Sequence, residues 1–510
     1  MNIKRAKEEI KNSIVAYLKK DEYGEYKIPV TNQRPLLIIG PPGIGKTAIM
    51  EQVAGECLIG IVSYTITHHT RQSAIGLPYI EKKEYGGREY SITEYTMSEI
   101  IASVYHKIEE TGLQEGILFI DEINCVSETL AATMLQFLKE KSFGNHKIPK
   151  GWIIVAAGNP PEYNKSVREF DIVTLDRVRK IDVKEDYKVW KEYAYKQSVH
   201  EAIITYLDIK KENFYLVETK VDGKEFVTAR GWEDLSKILI TYEELGLVVD
   251  EGLILQYIQH RKIAKDFANY LDFYNKYKTD YSVDNILMGE INKSSLRNLA
   301  EAPFDERITV IGLLLGKLYE YFKEVYMTDL YVNELFNSLK ELKLMMLDKA
   351  STLEPIPNLD LVINNKYELL EKMIIASHID KNRERSMRQM LDTLESYKST
   401  VKSKKVTSSV EAFELIKELF AINKKDRDIV IEKASKALSC GFNFMEIAYG
   451  ESQEMVIFIT ELTMNYFSNK FIGEYGSDEY YKYNKEIMFK DKREHILNEI
   501  DEATNFLDND

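Results

Sequence analysis

The chain has 510 residues, 44% hydrophobic and 29% charged, an ordinary globular composition that suits about two to four domains. Its 68 Lys and Arg against 82 Asp and Glu leave a net charge of −14, a poor match for duplex DNA or RNA, so nucleic acid is not the expected partner. Cys57, Cys125 and Cys440 are scattered with no CxxC pair, and no run reaches the roughly 18 apolar residues of a membrane span; a reduced, cytoplasmic protein without a zinc site or disulfide framework is expected.

The start, "MNIKRAKEEIKNSIVAYLKK", reads as a charged amphipathic helix with no apolar signal core. From residue 36 to 183, apolar strand runs alternate with helical patterns. The strands are "LLIIG" (36–40), "GIVSYTI" (60–66), "GILFID" (116–121), "WIIVAAG" (152–158) and "VRKIDV" (178–183), and helices fall at 46–58, 97–110 and 127–140. Alternating β and α with near-continuous apolar strands predicts a parallel five-stranded sheet covered on both faces, with ligands at the carboxyl ends of its strands. Two stretches interrupt this domain. "LPYIEKKEYGGREYS" (77–91) reads as a β-hairpin around Gly86-Gly87, and "KSFGNHKIPKG" (141–151) as a shorter one around Gly144-Asn145. After about residue 184 the chain becomes mostly helical, with a break at "STLEPIPNLD" (351–360) and an exposed loop or hinge at "KSTVKSKKVTSS" (398–409). The expected domains are an α/β core at 1–185, a helical lid at 186–277, a helical extension at 278–350 and a helical C-terminal domain at 351–510.

"GPPGIGKT" matches GxxxxGK[ST] in full, after a strand and at the start of a helix. Gly40, Pro41, Pro42, Gly43, Ile44 and Gly45 form the loop, whose backbone N–H groups can face phosphate oxygens. Lys46 supplies a cation to the β- and γ-phosphates, the Thr47 hydroxyl can ligate Mg²⁺, and Ala48 continues the first helical turn. "ILFIDEIN" ends a buried strand in two adjacent carboxylates: Asp121 for the magnesium shell and Glu122 to activate the attacking water. "GWIIVAAGNPPEYN" stops a core strand at Asn159, because Pro160 and Pro161 cannot continue a ladder. That amide is either a turn-former or a group aimed at a ligand. His68-His69 has no acidic or Cys partner at metal spacing, and the Tyr-rich stretch 466–486 reads as helix packing plus a loop.

In this order, "GPPGIGKT", "LFIDEIN", "AAGNPPEY" and "LDRVRKIDV" resemble the AAA+ ATPases, specifically the MoxR-type branch of the clade with a helix-2 insert and a pre-sensor-1 hairpin. The resemblance covers residues 28–325, including "APFDERITVIGLLL", and leaves the last 150 or so residues without a counterpart. It implies that the two hairpins are those inserts, and that the strand ending at Asn159 lies between the P-loop strand and the Asp121-Glu122 strand. Asn159 then serves as sensor 1, orienting water against the γ-phosphate. Arg177, with Arg179 in reserve, resembles the arginine finger that reaches a neighbouring subunit's nucleotide, and Arg230 of "TARGWEDLSK" resembles sensor 2. Val178 stands where the family usually has Phe, and Cys125 where it often has Arg. The resemblance further implies MgATP hydrolysis, a homo-oligomeric ring (usually a hexamer), a protein client, and often a partner with a von Willebrand factor A domain. Alternatives are a GTP-dependent motor like the McrB restriction subunit, a nucleotide-gated scaffold with little turnover, and a helicase or DNA loader, which the charge disfavours.

Overall fold

The computed structural model describes residues 1–485 except 69–73, 75, 126, 127, 164–169, 171, 221, 222, 293–295, 297, 298, 300 and 348–353. Its chain forms two compact units. The first comprises Met1–Val189, Thr228–Arg230 and Asn364–Arg385; the second comprises Trp190–Val227, Gly231–Ile363 and the chain from Ser386 onward.

The first unit is built on a parallel sheet of β1 (Leu36–Ile39), β2 (Gly60–Thr65), β5 (Gly116–Asp121), β8 (Trp152–Gly158) and β9 (Arg179–Asp182), in the order β2-β5-β8-β1-β9. Side chains alternate across a strand, so an all-apolar strand must be covered on both sides. In β5, Ile117 and Phe119 enter one core layer while Leu118 and Ile120 enter the other; in β8, Ile153, Val155 and Ala157 oppose Trp152, Ile154 and Ala156. Helices α1 (Ile3–Leu18) and α2 (Lys46–Cys57) close the first face through Ala6, Ile10, Ile14, Met50 and Val53. Helices α3 (Glu99–Thr111) and α4 (Glu128–Glu140) close the second through Ile101, Val104, Met134 and Phe137.

Both interruptions are hairpins. β3 (Pro78–Tyr85) pairs antiparallel with β4 (Arg88–Tyr95) around Gly86 and Gly87, both at positive φ, so the first hairpin runs four residues beyond its expected end. The arm "ITEY" (92–95) is made largely of strand-forming Ile, Thr and Tyr and has no Gly, Pro, Asn or Asp to mark a boundary there. β6 (Ser142–Phe143) and β7 (His146–Lys147) form the second. They touch: the Asn145 amide donates to Glu94, and the His146 imidazole lies 2.9 Å from the Tyr95 carbonyl. Residues 364–385 pack on the same unit, where Lys107 Nζ donates to the Ile375 carbonyl at 2.8 Å and His378 Nε2 lies 3.0 Å from the Ile59 carbonyl.

The second unit is helical apart from a hairpin of β10 (Leu216–Lys220) and β11 (Gly223–Val227). Long helices run over Phe304–Leu347 and Ser409–Tyr449, and Arg427 and Tyr475 both bind Asp329 at 2.6 Å. Burial alone would push the Lys191 ammonium down. Glu461 and Asp208, 2.7 and 2.6 Å away, outweigh that and hold it charged. The expected break at 351–360 ends earlier than its sequence suggests, because a helix already starts at Pro355, where proline is tolerated in a first turn. The basic stretch 398–409 is helical to Ser403 and turns only before Ser409.

The start of the sheet is packed tightly around Trp152. A Cβ on Gly116 would lie 2.7 Å from the indole and 2.8 Å from the Gly60 carbonyl. Gly116→Ala is therefore expected to destabilise the first unit by about 1–3 kcal/mol, read as a lower thermal midpoint with the second unit's transition unmoved.

Candidate functional site

The carboxyl ends of β1, β5 and β8 carry the polar groups picked out in the sequence, and the parallel sheet explains why they meet. β1 lies beside β8 with Ile39 opposite Gly158, and β5 lies on the other side of β8. The loops leaving these strands therefore emerge at one edge.

The loop Gly40–Gly45 wraps because its glycines permit it. Gly43 and Gly45 have φ of +73° and +91°, and Gly45 caps α2, whose first residue is Lys46. Gly40 has a different reason: a Cβ there would sit 2.8 Å from the Val183 carbonyl at the end of β9. Ile44 anchors the loop on the α1–α2 core layer, and Ala48 is half-buried in the first turn of α2. Lys46 is 8% exposed, and its ammonium donates to the carbonyls of Gly40 (2.8 Å) and Pro41 (2.9 Å) and to Asn159 Oδ1 (2.8 Å). All three acceptors are neutral. Burial consequently lowers its pKa to about 8; nearby Asp121 and Glu122 oppose the shift and Arg230 adds to it. A buried cation bonded to neutral oxygens at a helix N-terminus lacks an anion, and phosphate fits that lack.

Thr47 Oγ1 donates to Asp121 Oδ2 at 2.9 Å. A hydroxyl facing a carboxylate is the oxygen donor set that magnesium accepts, so these two residues fit that ion. Glu122 follows at φ +57°, a left-handed conformation uncommon outside glycine, and its N–H donates to Asp121 Oδ1 at 2.9 Å. The chain then crosses to β8. The Ile123 N–H binds the Ala157 carbonyl at 2.9 Å, and the Asn124 carboxamide meets the backbone of Asn159.

Asn159 is the first residue after β8. Its side chain points into the site, to Lys46, rather than closing a turn. Arg230 approaches the loop from the other side: a Cβ on Gly43 would lie 3.4 Å from the Arg230 Cβ. Arg177, beyond the short helix Ile172–Leu175, is exposed, whereas Arg179 is spoken for, donating to Ser13 Oγ at 2.5 Å and Glu9 Oε2 at 2.7 Å. His69 lies outside the described residues, and among those described no cluster of three His, Cys, Asp or Glu could hold a metal.

Residues 36–176 match the family described as "ATPase family associated with various cellular activities (AAA)". The chain carries an AAA-family ATPase domain. It is also 32% identical, over 171 residues, to a protein named ATP-dependent zinc metalloprotease FtsH from Lancefieldella parvula; the match covers 30% of this chain and 22% of that protein's length. In this AAA domain the P-loop, Asp121, Glu122 and Asn159 occupy one sheet edge, and the strand bearing Asn159 lies between the other two, the order expected from the resemblance. Sequence reasoning missed the part played by Asn124. Its signal was its place as the last residue of the family-like "DEIN", two residues after Glu122.

Replacing Lys46 by the similarly sized Met is expected to leave the domain folded while abolishing the rise in thermal midpoint that excess MgATP gives the parent. Melting curves with and without nucleotide read both.

Proposed function

We propose that the chain is an ATP-hydrolysing remodelling machine of the MoxR type, acting in the cytoplasm on a protein client as a homo-oligomeric ring, a hexamer in the simplest case. The observation that carries the hydrolytic part is Lys46, a buried ammonium held by neutral oxygens beside an Asp-Glu pair and the Asn159 amide. The relative is named as ATP-dependent, which favours ATP over GTP.

In this reading Lys46 and the loop N–H groups bind the phosphates, while Thr47 and Asp121 hold magnesium. Bound magnesium would offset charge on the phosphate oxygens. Glu122 takes a proton from the attacking water, and Asn159, able to donate and accept, orients that water. Arg230 adds charge from beside Gly43. Arg177 is the group offered to a neighbouring copy's nucleotide; both arginines are exposed, but Arg179 is tied to α1, which favours Arg177.

The MoxR assignment is supported by the two hairpins set between core elements and bonded to each other. Along the first, Tyr79, Ile80, Tyr85 and Tyr90 are all exposed, Ile80 at 77%. Such a surface suits contact with an unfolded or partly folded polypeptide. A partner with a von Willebrand factor A domain belongs to the same proposal, and the net charge of −14 argues against a nucleic-acid client. Among the described residues no helix is long and apolar enough to cross a membrane.

Glu122→Gln is expected to keep MgATP binding while phosphate release falls by about 100-fold or more. The same variant, held in MgATP, should retain a specific protein partner in a pull-down. Equal, near-zero turnover in parent and variant would rule out a motor, and nucleotide competition by excess GTP would reveal a GTP-dependent one. Asn159→Ala is expected to slow turnover by about 10- to 1,000-fold, with binding within about three-fold of the parent.

A further inference from the structure

We infer that Asn124 is a positioning residue that fixes Asn159 against Glu122. The inference rests on the hydrolytic reading above and adds a residue to it. The Asn124 side chain is buried, at 6% exposure, and meets the next strand's end at two points. Its Nδ2 donates to the Asn159 carbonyl at 2.8 Å, and its Oδ1 accepts from the Asn159 N–H at 3.2 Å. One carboxamide thus satisfies both backbone groups of a residue that has left the sheet, where no neighbouring strand can. Pro160, next in the chain, offers no N–H of its own.

The contact is specific to the site's geometry. Asn124 stands two residues after Glu122, and the intervening Ile123 N–H is bonded to the Ala157 carbonyl at 2.9 Å. Residues 121–124 are therefore stitched along residues 157–159, and the two groups that would flank the attacking water are joined by a short, doubly bonded connection. The strand makes room for this. A Cβ on Gly158 would meet Asn124 Oδ1, Cγ and Nδ2 at 2.5, 2.8 and 3.1 Å, and nothing nearer than that one side chain. Gly158 is where it is because the carboxamide occupies the space of a side chain. Asn159 in turn holds Lys46 through Oδ1, so a drift of its backbone would move the amide away from both the ammonium and the water.

The test compares the full-length parent with Asn124→Ala, Gly158→Ala and the double variant. A shift of about 1 Å in a positioned group costs up to about 100-fold in rate, so Asn124→Ala should lower kcat by about 10- to 100-fold with the Kd for a fluorescent ATP analogue within about three-fold. Gly158→Ala, whose methyl displaces the carboxamide, should give the same split, and the double variant should be no worse than either single one, because the new methyl then has room. Hydrogen–deuterium exchange at the Asn159 amide should accelerate by about ten-fold or more in all three. Asn124→Leu, of similar shape but with neither the donor nor the acceptor, repeats the comparison if the alanine variant does not fold. Parental kcat in Asn124→Ala, losses that multiply in the double variant, or unchanged exchange at Asn159 would each overturn the inference. A parent without turnover would refute the hydrolytic reading instead, and exchange would still decide whether Asn124 holds Asn159.

Discussion

A buried ammonium without a carboxylate bonded to it is the constraint around which the AAA domain is arranged. Lys46 has three neutral acceptors, and burial brings its pKa down to about 8. The acid that acts on it most, Asp121, is engaged by the Thr47 hydroxyl, and Arg230 adds positive potential from beside Gly43. A buried ammonium with no anion bonded to it gains most from a ligand that brings several negative oxygens at once. Two glycines at positive φ lead the loop into a helix N-terminus, whose unpaired N–H groups favour the same kind of ligand.

Sheet topology is what places that ammonium among its partners. Lys46 and Asn159 are 113 residues apart, and Thr47 and Asp121 are 74 apart. They meet because β8 lies between β1 and β5 and all three strands run the same way. The end of β8 is made of Ala156, Ala157 and Gly158, small residues that let two loops close over it. At the other end of the same strand Trp152 fills the space above Gly60 and Gly116. One strand is thus bulky where only packing is needed and small where chemistry must fit.

Much of this was legible in the chain itself, because the signals are local. The five strands are continuous apolar runs, and the P-loop is a complete eight-residue pattern in its required context. The glycine pairs marked both hairpin turns, although the outer arm of the first runs to Tyr95. What stayed hidden depends on partners far away in sequence. "LDRVRK" ranks Arg177 before Arg179 only by its place after "LD"; what it does not show is that Glu9 and Ser13, at least 166 residues earlier, capture Arg179. Asn124 closes the "DEIN" motif, but what it bonds shows only when Gly158 and Asn159 are set beside it. The helical breaks were placed too broadly because Pro355 and the basic run after Lys398 are as compatible with a helix end as with a loop.

The conformation of Glu122 shows how two adjacent carboxylates come to have separate duties. In an extended strand, neighbouring side chains point to opposite faces, so Asp121 and Glu122 could not both serve one site. The left-handed turn at φ +57° ends that alternation at the residue where the strand stops. Such a conformation costs a non-glycine residue about 1–3 kcal/mol and persists only where its surroundings impose it. Here they do: Asp121 Oδ1 holds the Glu122 N–H, the Glu122 carbonyl accepts from Cys125, and Ile123 and Asn124 are each bonded to the end of β8 or the residue after it. Asp121 is left facing Thr47, and Glu122 is turned out of the ladder, near enough to Lys46 for its charge to act on it. A glycine at 122 would adopt the turn without strain but would bring no carboxylate. In the proposed mechanism the residue that bends would also be the one that carries the base, so a glycine could not replace it.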